Sequence, residues 1–336
     1  MIKFLLFSDF HYCKGTYAST LNDLDIMLKK AKEENVDFCF QCGDFSTDAI
    51  NNLEAFDLYL NNKYDLPCYG VVGNHELEGS TDNTMELITP RLTNRPVNKP
   101  HPDASYWYTD IKGIRLIGLD SNHSFNPETK EWEHVPPGRT GARPGNTHVA
   151  HVDPAQMQWL KETLDDAKEK GLKAILFTHH AISGAFNFNC GNGKEIRDLL
   201  ENYQKTVVMC ICGDLHVDLF TVINKVAYYC ITATRFLADD GKNTPYPFDA
   251  KFDYIEYDEN LNPVKTYKKP LNDLSRSFCR YSDRPLYTII TIDDDGTLTI
   301  KGMKAEWLCG VEPDLTVETK YPTGLEIKER VYKLNF

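Results

Sequence analysis

The feature that most limits what this chain can fold into is a series of strand-length apolar runs, each ending on polar side chains able to hold a cation. The clearest is Cys68-Tyr69-Gly70-Val71-Val72, which reads as a buried strand and stops on Gly73-Asn74-His75-Glu76. Glycine permits a tight or left-handed turn at that point. Asn74 offers a neutral oxygen to a hard cation, and His75 offers a proton donor or metal ligand near neutral pH. One such turn is equally an ordinary strand end with a capping Asn. Its weight comes from repetition along the chain.

The run 2–7 ends at Ser8-Asp9-Phe10-His11, where Asp9 and His11 are two apart and share one side of an extended chain. The run 36–41 ends at Cys42-Gly43-Asp44, 173–177 at Thr178-His179-His180, and 207–212 at Gly213-Asp214-Leu215-His216. Helices separate these strands. Ser19-Thr20-Leu21 opens one, with Leu21, Leu24, Leu28 and Ala31 on its apolar stripe. Asp48 is read as the N-cap of a second over 49–61. Asp153-Pro154 opens a third with an acidic cap and proline at its first position, and a fourth covers 194–203. Alternating strands and helices imply parallel strands with right-handed crossovers. In such sheets sites form beyond the carboxyl ends of the strands. Asp9, His11, Asp44, Asn74 and His75 all fall at that edge.

Between the third strand and the third helix, 106–108 and 114–119 read as a hairpin around Lys112-Gly113 that ends at Asp120-Ser121-Asn122. Residues 121–152 read as a long irregular segment containing His123, His134, His148, His151, Arg139 and Arg143. That length suggests a flap over the site that sets substrate choice, with each histidine, taken singly, a surface residue. After 212 the chain turns β-rich. Runs 219–223 and 226–232 pair across Asn224-Lys225, 252–257 is a strand, and 258–284 is irregular. A hairpin at 286–292 and 297–301 turns on Asp293-Asp294-Asp295-Gly296, an acidic turn without the remaining residues of a calcium loop. Residues 326–334 read as an edge strand. The expected organisation is a core over 1–235 and a β-rich C-terminal extension over 236–336 packed on it.

The 336 residues are 41% hydrophobic and 26% charged, which suits a globular chain. A net charge of -12 argues against tracking a nucleic-acid backbone. The apolar N-terminus is too short for a signal peptide, and no run is long enough to span a bilayer. The ten cysteines are scattered, several within apolar runs, which fits reduced thiols in the cytoplasm. Cys39 and Cys42 have the C-x-x-C spacing, but they sit in a continuous strand pattern and are read as packing.

Taken together the strand ends read Asp-x-His, Gly-Asp, Gly-Asn-His-Glu, His and Gly-Asp-x-His. In that order and spacing, over about residues 1–235, the chain resembles the calcineurin-like metallophosphoesterase superfamily. The resemblance implies an α/β fold, a two-sheet β-sandwich flanked by helices, with a dinuclear metal centre at one sheet edge. It implies Asp9, His11 and His216 as ligands of a first metal, Asp44 as the bridging carboxylate, and Asn74 and His179 as ligands of a second. It implies His75 as a proton donor that is not itself a ligand. His180 is the rival of His179, which is preferred as the first residue after its strand. Two departures stand out. Asp214 takes the place of the usual second-metal histidine of a Gly-His-x-His motif, and a carboxylate favours Mn²⁺, Fe or Mg²⁺ over softer ions. Gly43-Asp44-Phe45-Ser46 lacks the Asp-Arg-Gly continuation of the protein serine/threonine phosphatases, which counts against a protein substrate of that kind.

The expected activity is therefore hydrolysis of a small phosphodiester or phosphomonoester, such as a nucleotide. Two divalent cations (Mn, Fe, Zn or Mg) would lower the pKa of a shared water, and the hydroxide would attack in line while His75 protonates the leaving alkoxide. Arg139 and Arg143 could grip a phosphate, and Phe186, Phe188, Tyr246 and Phe248 could stack on a base. The alternatives are a non-catalytic relative whose second metal site is weakened by Asp214, and a nuclease. No membrane partner is expected.

Overall fold

The computed structural model describes residues 1–14, 19–126, 128–135, 150–184, 190–238, 251–257, 263–270, 279–306 and 325–336. Strand alternation sets its layers. In β1 (Ile2–Phe7), Phe4 and Leu6 enter one apolar cluster while Leu5 and Phe7 enter another on the opposite face. A strand apolar on both faces needs a layer on each side. α1 (Leu21–Glu33) supplies one. Thr20 and Asp23 form a reciprocal capping box at its start, and Leu24, Met27 and Leu28 cover Leu5 and Phe7. β2 (Phe38–Gln41), α2 (Leu53–Leu60) and β3 (Cys68–Gly70) repeat the unit, so that β1, β2 and β3 run parallel. α3 (Met85–Ile88) follows, and then β4 (Trp107–Ile111) and β5 (Ile114–Gly118) form the expected hairpin. Its turn residues Lys112 and Gly113 both have positive φ, as a two-residue hairpin turn requires.

A second hairpin, β6 (His123–Asn126) with β7 (Glu131–His134), precedes α4 (Pro154–Glu169), β8 (Lys173–Phe177), α5 (Gly193–Leu200) and β9 (Val207–Cys212). β10 (Leu219–Ile223) and β11 (Val226–Cys230) pair across Asn224 and Lys225. Next come β12 (Phe236–Ala238), β13 (Lys251–Tyr257), β14 (Pro263–Pro270) and β15 (Cys279–Tyr281), as two-stranded pairs β12–β15 and β13–β14. The chain closes with β16 (Thr288–Ile292), β17 (Thr297–Ile300), β18 (Met303–Lys304), β19 (Glu326–Ile327) and β20 (Arg330–Lys333).

Two six-stranded sheets result, in the orders β20-β17-β16-β1-β2-β3 and β10-β11-β9-β8-β5-β4. Their inner faces share one apolar cluster. Phe40 of β2 stacks on Phe177 of β8 with ring centroids 3.6 Å apart, and Trp107, Tyr229, Ile290 and Leu298 fill the space around them. α1 and α2 cover the outer face of the first sheet, and α4 and α5 that of the second. The architecture is the expected two-sheet sandwich flanked by helices. Cys39 and Cys42 point into different clusters on opposite faces, so the C-x-x-C spacing serves packing.

Three features differ from the sequence reading. Segment 121–152 is not wholly irregular, because β6 and β7 pair within it. The strands are only four residues long, too short for alternation to stand out in a segment rich in Gly, Pro and His. Likewise 258–284 holds β14 and β15. Asp48 does not cap α2. It has φ of 66° and accepts from Asn51 and Asn83, while Asn52 occupies the cap position. Within the C-terminal part, β16, β17 and β20 pair into the first sheet beside β1.

Glu34 ties this return to the core. Its carboxylate lies 2.9 Å from Lys3 on β1, 3.0 Å from Lys301 and 3.1 Å from Lys30. Hydrogen bonds from Lys3, Lys301 and Lys30 hold its pKa down at about 2 against an ordinary 4.5. A carboxylate depressed on folding contributes stability that is present above its unfolded pKa and lost as pH falls through the folded one. These pairs are partly solvated, so Glu34→Gln should cost only about 1 kcal/mol at pH 7. Urea unfolding should show that gap closing as pH falls from 4.5 towards 2; a gap that persists undiminished would assign the effect to packing instead.

Candidate metal centre

The strand ends meet because their turns are bonded to one another. Within the first sheet, Asp9 N donates to Gly43 O at 3.1 Å and His11 N to Asp44 O at 2.8 Å. Across the sheets, Thr234 N donates to Ser8 O at 3.0 Å, Asp214 N reaches both Asp9 carboxylate oxygens at 3.2 Å, and His179 Nδ1 donates to Cys42 O at 2.7 Å. The turns are tight. Asp9, His11, Asp44, Asp214 and His216 all have φ between 48° and 64°, a left-handed conformation costing non-glycine residues about 1–3 kcal/mol each. Close approach also demands glycine. A Cβ on Gly213 would overlap Ser8 Oγ and stand 2.6 Å from Asp9 Oδ2.

Asp9, His11 and His216 form one group whose ligand atoms lie within 4.8 Å of one another, and His179, His180 and Asp214 form a second. His216 Nε2 is 3.2 Å from Asp9 Oδ1 and 3.4 Å from His11 Nε2. Asp44 connects the two. Its Oδ1 accepts from His75 N at 2.8 Å, while its Oδ2 lies 3.2 Å from His179 Nε2 and 3.8 Å from both His11 Nε2 and His75 Nε2. Asp214 Oδ1 is 3.8 Å from His179 Nε2. The structure thus brings together Asp9, His11, Asp44, His75, His179, Asp214 and His216. Asn74 sits half-buried in the same turn, its Nδ2 donating to Glu78 at 3.4 Å. Of the two adjacent histidines, His179 is the one on Asp44, and His180 Nδ1 lies 2.8 Å from Ser121 Oγ.

Burial and charge pull against each other here. Burial opposes ionisation of Asp44, but His179, His75 and His11 hold its pKa well below the usual carboxylate range. Burial likewise opposes charge on Asp9, which His216 offsets. Burial and the neighbouring His75 push His11 down to about 3, so its ring is neutral. Burial opposes a proton on His75, yet Asp44, Glu78 and Glu76 raise it to about 9. Two carboxylates absent from the list of sequence candidates shape this balance. Glu76 is buried and accepts from Gly73 N at 2.6 Å, Ser46 N at 2.9 Å and Asp44 N at 3.1 Å, bracing the turn that presents Asp44. Glu78 Oε2 lies 2.8 Å from His75 Nδ1 and orients that ring. The available signal for Glu76 was its place in the Gly73-Asn74-His75-Glu76 turn itself, directly after His75.

The donor set fits metal ions. Donation from His179 Nδ1 to Cys42 O leaves Nε2 facing the centre, where burial opposes a proton but Asp44, Asp9 and Asp214 raise the ring's pKa well above its ordinary value. That nitrogen is fully buried, makes no hydrogen bond and faces the carboxylates of Asp44 and Asp214. A lone pair facing two carboxylates is repulsive unless a cation, proton or metal, lies between them. Of the flap and loop candidates, Arg139, Arg143, His148, Phe186, Phe188, Tyr246 and Phe248 lie outside the described residues. His123, expected at the surface, is buried beside Asp120 and His134. Glu76→Gln would set an amide nitrogen against backbone N–H groups. It should weaken metal retention about 10–100-fold with the fold intact, and metal content after graded chelation checks this; unchanged retention would remove Glu76 from the support of the centre.

Comparison with known proteins gives the family and the fold. The profile of the family described as calcineurin-like phosphoesterase matches residues 2–218. A dimetal phosphatase from Danio rerio has TM-score 0.54 at 13% identity, covering 91% of this chain and 98% of that one. GAP50, the anchor in the inner membrane complex of Plasmodium, has TM-score 0.51 at 15% identity, covering 100% and 89%. At these identities the likeness is one of fold. Among curated proteins, none matches the chain. The family profile spans more than half of the sequence and takes in the strand ends that carry Asp9, Asp44, Asn74, His179 and His216, and on that ground the chain belongs to the calcineurin-like phosphoesterases.

Proposed function

We propose that this protein is a metal-dependent hydrolase of small phosphate esters, a phosphodiester or phosphomonoester of nucleotide size. The observation that carries this reading is the position of Asp44 Oδ2, within 3.2–3.8 Å of ring nitrogens from His11, His75 and His179. Asp9, His11, Asp44 and His216 would hold one divalent cation, and Asp44, Asn74, His179 and Asp214 a second. Such a pair supplies Lewis-acid neutralisation of the ester's charge and a nucleophilic water at neutral pH. Asp214 makes the second position harder and more anionic, which favours Mn²⁺, Fe or Mg²⁺.

His75 is suited to donate a proton. Its side chain is 34% exposed, so it can reach a ligand, and Glu78 on Nδ1 fixes the ring with Nε2 towards the centre. From there it would hold a proton at Nε2 and pass it to the leaving oxygen. A net charge of -12 disfavours long nucleic acids as substrates. Cys13, Cys39, Cys42, Cys68, Cys190, Cys210, Cys212 and Cys230 are free thiols, and among the described residues no helix is long and apolar enough to cross a membrane. Free thiols support a reducing compartment, and we place the protein in the cytoplasm. A second reading is a non-catalytic relative serving as an anchor, favoured by Asp214 at the second position and by the role printed for the Plasmodium protein.

The deciding assay is hydrolysis of bis-p-nitrophenyl phosphate, p-nitrophenyl phosphate and a nucleoside monophosphate, with added Mn²⁺ or with chelator. Turnover should require metal, and preference between the two nitrophenyl esters separates diesterase from monoesterase. His75→Ala should keep its metal and lose about 10²–10⁴-fold on the nucleotide, the poorer leaving group, with a smaller loss on nitrophenyl esters. Equal losses on both would count against the acid role. Metal content below two per chain together with no turnover on any substrate would favour the anchor reading.

A further inference from the structure

A second cluster of ligand-type side chains stands one strand away from the dinuclear candidate, and the reading above gives it no role. Asp120 follows β5, which lies beside β8 in the second sheet. His123 opens β6 and His134 closes β7, and the hairpin register pairs them directly. Their rings lie 4.0 Å apart between centroids. Asp120, His123 and His134 each offer one ligand atom, all within 4.8 Å of one another. His134 Nε2 is 2.8 Å from Asp120 Oδ2, and His123 Nε2 is 3.5 Å from Asp153 Oδ2. Asp153 spends its Oδ1 on Ala155 N and Gln156 N at the start of α4, which leaves Oδ2 free of those bonds.

We infer that Asp120, His123 and His134 form a third metal site, for a zinc-type divalent cation bound through His123 Nδ1, that fastens the β6–β7 hairpin to the end of β5, with Asp153 at the start of α4 orienting the His123 ring from its Nε2 side. Three observations support it. His123 is only 7% exposed and its Nδ1 makes no hydrogen bond, an unmet polar group of the kind a functional site explains. Two imidazoles and a carboxylate are a borderline donor set of the kind zinc accepts, leaving a fourth position for water, with donor atoms in a tetrahedral site about 3.3 Å apart. Asp120 is also held as ligands usually are: Ser105 Oγ donates to its Oδ2, and Asn122 N and Nδ2 donate to its Oδ1. His134, 37% exposed, supplies the entry path.

The rival is a plain ion pair between His134 and Asp120 beside a neutral His123. Burial and the proximity of His134 keep His123 below its ordinary pKa, the neutral form a metal also needs. Zinc would replace the proton shared by His134 and Asp120 and release it to solvent. The site would also serve the fold around it. Trp132 on β7 and His151, which is bonded to His123 through the backbone, line one wall of a cleft of about 470 Å³ with Pro154, Met157 and Lys161. Fixing the hairpin fixes that wall.

The test is to strip the full chain of metal, reload it with Zn²⁺, desalt it, and count zinc per chain for wild type, His123→Ala and His134→Asn. Wild type should hold one zinc more than either variant, and its thermal midpoint should rise with that last equivalent while the midpoints of the variants do not. Equal zinc counts in wild type and both variants would overturn the site in favour of the ion pair. His134→Asn, at the solvent-exposed end, decides the matter should His123→Ala fail to fold by circular dichroism. Failure of the dinuclear reading would lower the count in all three proteins alike and leave the difference of one intact.

Discussion

Asp44 keeps its carboxylate almost wholly out of water, and the rest of the centre answers to that buried charge. Burying an ionised carboxylate costs several kcal/mol unless the geometry around it compensates. Compensation comes from His75 N on Oδ1 and from three imidazoles converging on Oδ2. The turn that presents the group is held by a second buried acid, Glu76, through the N–H groups of Gly73, Asp44 and Ser46. Two acids this close raise one another's pKa, and burial with Asp44 pushes Glu76 up to about 7. Such a concentration of negative charge is a poor way to stabilise a fold and a good way to hold cations.

The strain is distributed in the same manner. Five left-handed residues on three strand ends would together cost more than their local sequences can repay. Each is over-determined by bonds from its neighbours: the 8–12 turn leans on 43–45, the 213–216 turn on Asp9, and residue 234 on Ser8. None of these turns would hold this shape alone. They are stable together because two rigid sheets, locked by the Phe40–Phe177 stack and its surrounding apolar layer, present their edges in register. The C-terminal strands contribute from a distance by widening the first sheet beside β1.

Much of this was legible in the sequence, and the reason is periodicity. Buried strands with side chains alternating between two apolar faces announce a sheet covered on both sides, and their abrupt ends mark the site edge. The four-residue strands β6 and β7 were not legible, because alternation over so few residues is indistinguishable from a polar loop. Asp48 was misread as a cap for a related reason. Asp before a helical pattern is a sound signal, but its carboxylate was claimed by Asn83 from a turn thirty-five positions later. Local rules give way wherever a distant partner competes for the same atoms.

By itself the sequence determined the strand and helix order, the apolar faces, and which side chains stand at strand ends, since these depend on the local backbone period and on residue type. The tertiary structure alone decided which of those side chains meet. Asp9 joins His216, and His179 joins Asp44, across more than a hundred intervening residues, because two sheets align their carboxyl edges. It also decided that His179 rather than His180 faces Asp44, and that Glu76 braces the turn. The same holds for His123 and His134, which hairpin register carries from separate loop positions to a shared buried cluster with Asp120. Proximity between distant residues is a property of packing, and no local pattern encodes it.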